Sequence, residues 1–105
     1  MKIKSNSIVG IDLEGKILVI KELDLAKIYR TLGNRLWRAT GGFGCDPSSI
    51  GNALFATCIS DGEKSHWTRD NFEGWLTEEE ANELIKREKE LGKEEFLMWQ
   101  ELSGD

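Results

Sequence analysis

The sequence predicts a single α+β domain over residues 1–105: an antiparallel sheet of about four to five strands, one inserted helix and a C-terminal helical layer. Three observations predict it. Short β-branched or alternating runs separated by glycine-containing turns recur over residues 8–20, 35–40 and 52–69. One helical period interrupts them at residues 24–33, and beyond Thr77 the apolar spacing changes from two residues to three or four. A chain of 105 residues can bury one core but not two.

Residues 8–13 and 16–20 are rich in Ile, Val and Leu and flank Glu14-Gly15, so they read as a hairpin. Leu25, Ile28, Tyr29 and Leu32 then recur at helical spacing. Asp24 serves as N-cap and Gly33 as terminator, and Leu23 with Ile28 forms a hydrophobic staple around the cap. Residues 35–40 alternate with a period of two, setting Arg35, Trp37 and Ala39 against Leu36, Arg38 and Thr40. After the glycine-rich turn, Asp46-Pro47-Ser48-Ser49 suggests a short helical turn with proline at its first position.

Asp61-Gly62 suits a two-residue hairpin turn between residues 52–60 and 63–69. Counting outward sets Cys58 opposite Ser65, Thr57 opposite His66 and Ala56 opposite Trp67. Leu54, Ala56, Cys58, Ser65 and Trp67 then share a core-facing side. Residues 70–76 read as an aromatic loop. Thr77 and Glu80 form a capping box for a helix carrying Ala81, Leu84, Ile85 and Leu91 on one face and ended by Gly92. Residues 94–102 resume as a second helix, apolar around much of its circumference through Phe96, Leu97, Met98, Trp99 and Leu102.

No apolar run approaches the roughly 20 residues that cross a bilayer, and residues 1–10 lack a signal-peptide core, so a cytoplasmic location with no membrane association is expected. Two separated cysteines fit free thiols in that compartment. Net charge is −5, but the first 52 residues carry eight basic and five acidic side chains, and the rest six basic and fourteen acidic. The C-terminal half therefore repels nucleic acid and attracts basic protein surfaces. A solvated helix face accounts for the same charges in simpler terms.

Most apparent chemical motifs fail on context. Gly42-Phe43-Gly44 would need a third glycine where Pro47 stands, and no Walker loop exists, so a tight connection is the simpler role. His66 is the only base of its kind and faces away from Cys58 in the expected hairpin, whereas Cys45 on the glycine loop is expected to be more exposed. One histidine and two cysteines give no zinc spacing. No catalytic residue, metal or cofactor is expected.

Two binding readings remain. In the first, the helix over residues 78–90 and the aromatic segment before it meet a partner through Phe72, Trp75, Glu79, Glu83 and Glu90, with Trp99 beyond; tryptophan favours interface anchors. Self-association through Phe96, Met98 and Trp99 of the C-terminal helix is compatible with it. In the second, Arg30, Arg35, Trp37, Arg38, Gly42, Phe43 and Gly44 hold a nucleotide or single-stranded nucleic acid by arginine and aromatic contacts, with Lys27, Tyr29, His66, Trp67 and Arg69 as neighbours. It requires these groups to converge on one cavity; Tyr29 on the apolar helix face and Trp37 and Trp67 in the core account for the same residues in simpler terms.

Residues 36–75, with LWRATGGFG and DGEKSHWTRDNFEGW, resemble short uncharacterised proteins of bacteria, phages and plasmids. The resemblance rests on no motif of known chemistry and carries over no catalytic residue. It implies a small acidic inhibitor or adaptor from a mobile element that occupies a basic surface of a larger host protein. The expectation is therefore a non-enzymatic protein-interaction module, with the nucleotide or single-strand binder as the alternative.

Overall fold

The computed structural model describes residues 4–21 and 35–92. Five strands form one antiparallel sheet: β1 (Ile17–Ile20), β2 (Leu36–Gly41), β3 (Ala53–Cys58), β4 (Lys64–Thr68) and β5 (Phe72–Leu76), in the spatial order β4-β3-β2-β1-β5. One helix, α1 (Glu78–Leu91), follows. The protein is thus α+β, with the α-helix of the described residues following the last strand. The helices expected over residues 24–33 and 94–102, and with them Arg30 and Trp99, lie outside the described residues.

The central strand shows why the pattern of apolar residues differs along the chain. All four residues of β1 are buried, since both faces of the sheet are covered there. On one side Leu18, Ile20, Trp37, Ala39, Leu54, Ala56, Cys58 and Phe72 form the main core with Leu13 and Cys45. On the other, Ile17, Val19, Leu36 and Leu76 meet Ala81, with Leu84, Ile85 and Leu91 of α1 alongside. Each fully buried Leu, Ile or Phe contributes about 1.5–3 kcal/mol by leaving water. Strands near the ends of the sheet are covered on one side and alternate instead.

The sheet cannot be flat. Its edges, β4 and β5, are joined only by the short 3-10 turn Arg69–Asn71. Four strand spacings would separate the edges of a flat sheet by about 19 Å, yet the four Cα steps from Thr68 to Phe72 reach at most about 14 Å. The sheet curls, bringing the edges together at this end, and the Trp67 and Phe72 rings meet edge to face with centroids 6.3 Å apart. Trp37 packs edge to face on Trp67 at 5.2 Å, filling the inside of the curl.

Several expectations are corrected. Residues 8–13 are not a strand: the backbone turns at Gly10, φ +72°, and the Asp12 carboxylate accepts the Glu14 N–H at 2.9 Å. Ile8, Ile11 and Leu13 instead pack against the main core. Residues 72–76 are a strand, not a loop. A register shift opposite Val19 and Ile20 puts Phe72 and Trp75 on the same core, which simple alternation would separate. The short 3-10 turn falls at Phe43–Cys45, whereas Asp46 folds back to accept the Ser48 N–H and hydroxyl at 2.9 and 2.7 Å.

The β3–β4 hairpin exists, but Ala56 pairs Ser65 and Leu54 pairs Trp67, two residues from the expected register. Four residues, 59–62, form the loop: Cys58 N–H donates to Glu63 O at 2.8 Å, and Gly62 N–H to Cys58 O at 2.9 Å, with Gly62 at φ +77°. A slip of two preserves facing. Leu54, Ala56 and Cys58 are therefore buried in the main core as expected, with Trp67 packed against it.

The β5 edge is met at Trp75 by the chain's own N-terminal segment through one isolated antiparallel bridge. Asn6 N–H donates to Trp75 O at 2.8 Å and Trp75 N–H to Asn6 O at 2.9 Å. The Asn6 side-chain amide adds a bond to Trp75 O at 3.0 Å and one to Glu80 Oε1 at 3.1 Å.

Candidate interaction surface

Alternation along β3 turns Leu54, Ala56 and Cys58 inward and Phe55 and Thr57 outward. On β4 it turns His66, the cross-strand partner of Phe55, and Lys64, the partner of Thr57, outward as well. This is the same sheet side that α1 covers over β1 and β5, but among the described residues nothing covers it across β3 and β4. Phe55 is 53% exposed in mid-strand. Its ring stacks, tilted by 31°, on His66 at 5.3 Å, and Thr40 Oγ1 donates to its carbonyl oxygen at 3.2 Å. Thr40, Phe55, Thr57, Lys64 and His66 line a shallow hollow of about 570 Å³. An aromatic on the outer face of a strand was the available signal in the sequence, hidden because attention to alternation selects the core-facing set.

The residues expected to meet a protein partner separate. Phe72 is 2% exposed and belongs to the core. Trp75 is half-buried: its indole Nε1–H donates to Ser7 O at 3.1 Å, and the Lys16 ammonium lies 5.1 Å from its ring. Glu79 is exposed. Glu83 and Glu90 flank Arg87, each at 3.7 Å, and Lys86 approaches Glu90 at 4.0 Å. The outer face of α1 is therefore laced with its own ion pairs.

The capping box is present in full, with Thr77 Oγ1 accepting the Glu80 N–H at 3.1 Å and Glu80 Oε1 accepting the Thr77 N–H at 2.9 Å. The backbone N–H of Thr77 holds the Glu80 carboxyl below its ordinary pKa, aided by Asn6. The Arg38 guanidinium, 2.8 Å away, does the same for Glu78.

The residues expected to hold a nucleotide do not converge among the described residues. Arg35 is buried, donating through Nε and Nη2 to Ile20 O and through Nη2 to Glu73 Oε1 at 2.9 Å. Trp37 is core, and Arg38 is committed to Glu78. A Cβ on Gly42 would fall 2.8 Å from Leu54 Cα, and one on Gly44 would strike the Asn52 carbonyl. These glycines admit the neighbouring backbone. Phe43 is exposed, with its Cβ against Gly51.

Two further placements bear on chemistry. Arg69 spends its guanidinium on main-chain carbonyls: Nη1 donates to Gly44 O at 3.0 Å and Cys45 O at 3.3 Å, and Nη2 to Ile11 O at 2.9 Å and to Ile8 O. Sequence alone gave no sign of this clamp, which ties the N-terminal segment and the glycine loop to the β4–β5 corner. Cys45 is buried, not exposed, and both cysteines are free thiols. Burial, with the nearby charges of Asp12 and Glu14, pushes the Cys45 thiol up from its usual pKa, which keeps it protonated and a poor nucleophile. Among the described residues no group of three or more His, Cys, Asp or Glu is placed to hold a metal, and no helix is long and apolar enough to cross a membrane.

No family model, no curated protein and no solved structure matches the chain.

Proposed function

We propose that this chain is a non-enzymatic protein-interaction module, an inhibitor or adaptor acting in the cytoplasm, that meets its partner through the open face of β3 and β4. The observation that carries the reading is Phe55: a large apolar ring left half in water in mid-strand, on a sheet side that is buried wherever α1 lies over it. Exposed apolar surface beside polar groups marks interaction sites. Phe55 with His66, and Thr40, Thr57 and Lys64 around them, have the make-up of such a site. The exposed charges of α1 make that helix the weaker candidate for an anchor, because surface charge contacts add little affinity and are screened by salt. A chain of net charge −5 still favours a partner that is basic overall, while the charge beside the contact face itself is set locally by Lys64.

Photo-crosslinking tests the reading. A benzophenone amino acid is placed at Phe55 in one version of the chain and at Glu83 in another, and both are irradiated in cells of the source organism. One adduct of discrete mass from position 55, absent from position 83 and competed by excess unlabelled chain but not by Phe55→Ala, is the expected result. Adducts from position 83 alone would return the acidic helix to first place, and none from either would remove the reading.

A further inference from the structure

We propose that the partner contributes an extended segment that adds to the β4 edge as a sixth strand, antiparallel to β4, with an acidic side chain near Lys64. This rests on the reading of the β3–β4 face as the contact surface and specifies what occupies it.

The main-chain pattern leads there. The bonds from Cys58 N–H to Glu63 O and from Arg69 N–H to Asn52 O fix the alternation of the hairpin. Residues 63, 65, 67 and 69 direct their N–H and C=O groups toward β3, so those of Lys64, His66 and Thr68 point away from the sheet. Thr68 N–H is already taken by Asn71 Oδ1 at 2.9 Å. Lys64 and His66 remain as two donor–acceptor pairs, about 6.8 Å apart along the strand. That spacing and alternation are matched by the main chain of another extended segment. At the opposite edge a single antiparallel bridge, Asn6 on Trp75, already meets β5, whereas among the described residues nothing pairs with the outer side of β4.

The edge is also weakly defended. The β3–β4 pairing runs through all five residue pairs without a bulge, β4 has no proline, and Lys64 is its one charged side chain. Lys64 makes no ion pair among the described residues. Charge decides between occupants. Antiparallel pairing of two β4 edges through their open residues would set Lys64 against Lys64 or His66 of the other copy, neither of which is acidic, so a second copy offers Lys64 no counter-charge. An acidic strand meets Lys64 favourably, and its outward side chains continue the row begun by Phe55 and His66. In such strand addition the main chain supplies affinity, and pockets for alternate side chains supply selection.

The test pans the full chain against displayed random heptapeptides, then measures the selected synthetic peptides by fluorescence anisotropy. Proline at an outward position of an edge strand removes a free N–H without touching the internal ladder, so His66→Pro is compared with His66→Ala and Phe55→Ala. Expected are proline-free peptides with alternating apolar residues and at least one Asp or Glu. Binding should weaken about tenfold or more on His66→Pro, clearly more than on His66→Ala. Slowed amide exchange at residues 64 and 66 of the wild-type complex is the second readout, and it decides the matter if His66→Pro fails to fold. Peptides that bind His66→Pro undiminished but lose affinity on Phe55→Ala would overturn the strand addition and keep the face. Peptides indifferent to every variant, or none selected, would overturn it too, as would a dimer lost on His66→Pro or a single-stranded oligothymidylate bound at the hollow in place of peptide.

Discussion

Arg35 and Glu73 meet at 2.9 Å with unequal burial: the arginine side chain is 3% exposed and the glutamate 26%. The guanidinium also donates to Ile20 O, so it joins the end of β1 to β5 across the segment that precedes β2. Removing the carboxylate leaves the more deeply buried charge without its counterion. Glu73→Ala should therefore destabilise the protein by about 2 kcal/mol, below the range for fully buried pairs because Glu73 is partly solvated. Adding Arg35→Met should restore part of that loss. Urea denaturation of both variants checks the order.

Gly44→Ala should cost about 1–3 kcal/mol, because its Cβ would strike the Asn52 carbonyl, main-chain atoms that cannot step aside as a flexible side chain can. Gly15 supplies the comparison: open space surrounds it, and only its φ of +81° opposes a side chain. Gly15→Ala should cost about 1 kcal/mol. Thermal denaturation of the pair distinguishes crowding from backbone strain.

Acid should weaken the protein through groups that it holds ionised. Glu78, Glu80 and Asp46 all have folded-state values below their ordinary ones, through Arg38, the Thr77 backbone and Ser48 respectively. A depressed carboxyl contributes stability that is complete above its unfolded value and is lost as pH falls through the folded one. The loss should begin below the usual glutamate value of 4.5 and continue downward. Glu80→Gln keeps a side chain able to complete the capping box and should flatten this dependence in urea midpoints taken from pH 3 to 7.

At the alkaline end the sign reverses. Cys45 has its folded value raised above the usual 9.0, so its thiol retains a proton that the unfolded chain gives up. Stability should be unaffected by this group below pH 9 and should fall as pH rises further. The same burial should make Cys45 react with a thiol reagent at pH 8 many times more slowly in the folded chain than in urea, which mass-resolved labelling can follow.

The helix α1 was readable because its signals are local: Thr77 and Glu80 stand three residues apart, Gly92 ends it, and the apolar face is periodic. The hairpin was readable as a pairing but not in register, since Asp61-Gly62 reports a turn without saying whether two or four residues form it. Strand β5 escaped because Gly74 and the shift opposite Val19 and Ile20 break its alternation. Residues 8–13 have strand-like composition, and only their contacts with the main core make them a plug. Of the candidate site, Glu79, Glu83 and Glu90 were legible as exposed helix positions. The burial of Arg35 was not, because it depends on how a curled sheet brings the end of β1 and β5 together around it.

The bridge from Asn6 to β5 has a consequence for how copies of this chain could accumulate. Among the described residues β4 is the edge left without a main-chain partner, and a molecule with one such edge can accept one strand and stop. Were the Asn6 bridge undone, each molecule would offer two dissimilar edges, β4 and β5, with no symmetry axis relating them. Stacking of β4 upon the next molecule's β5 is a head-to-tail contact, which closes into a ring where its rotation permits and otherwise runs on as a filament. The paired main-chain bonds between Asn6 and Trp75 occupy part of the β5 edge that such head-to-tail growth would need.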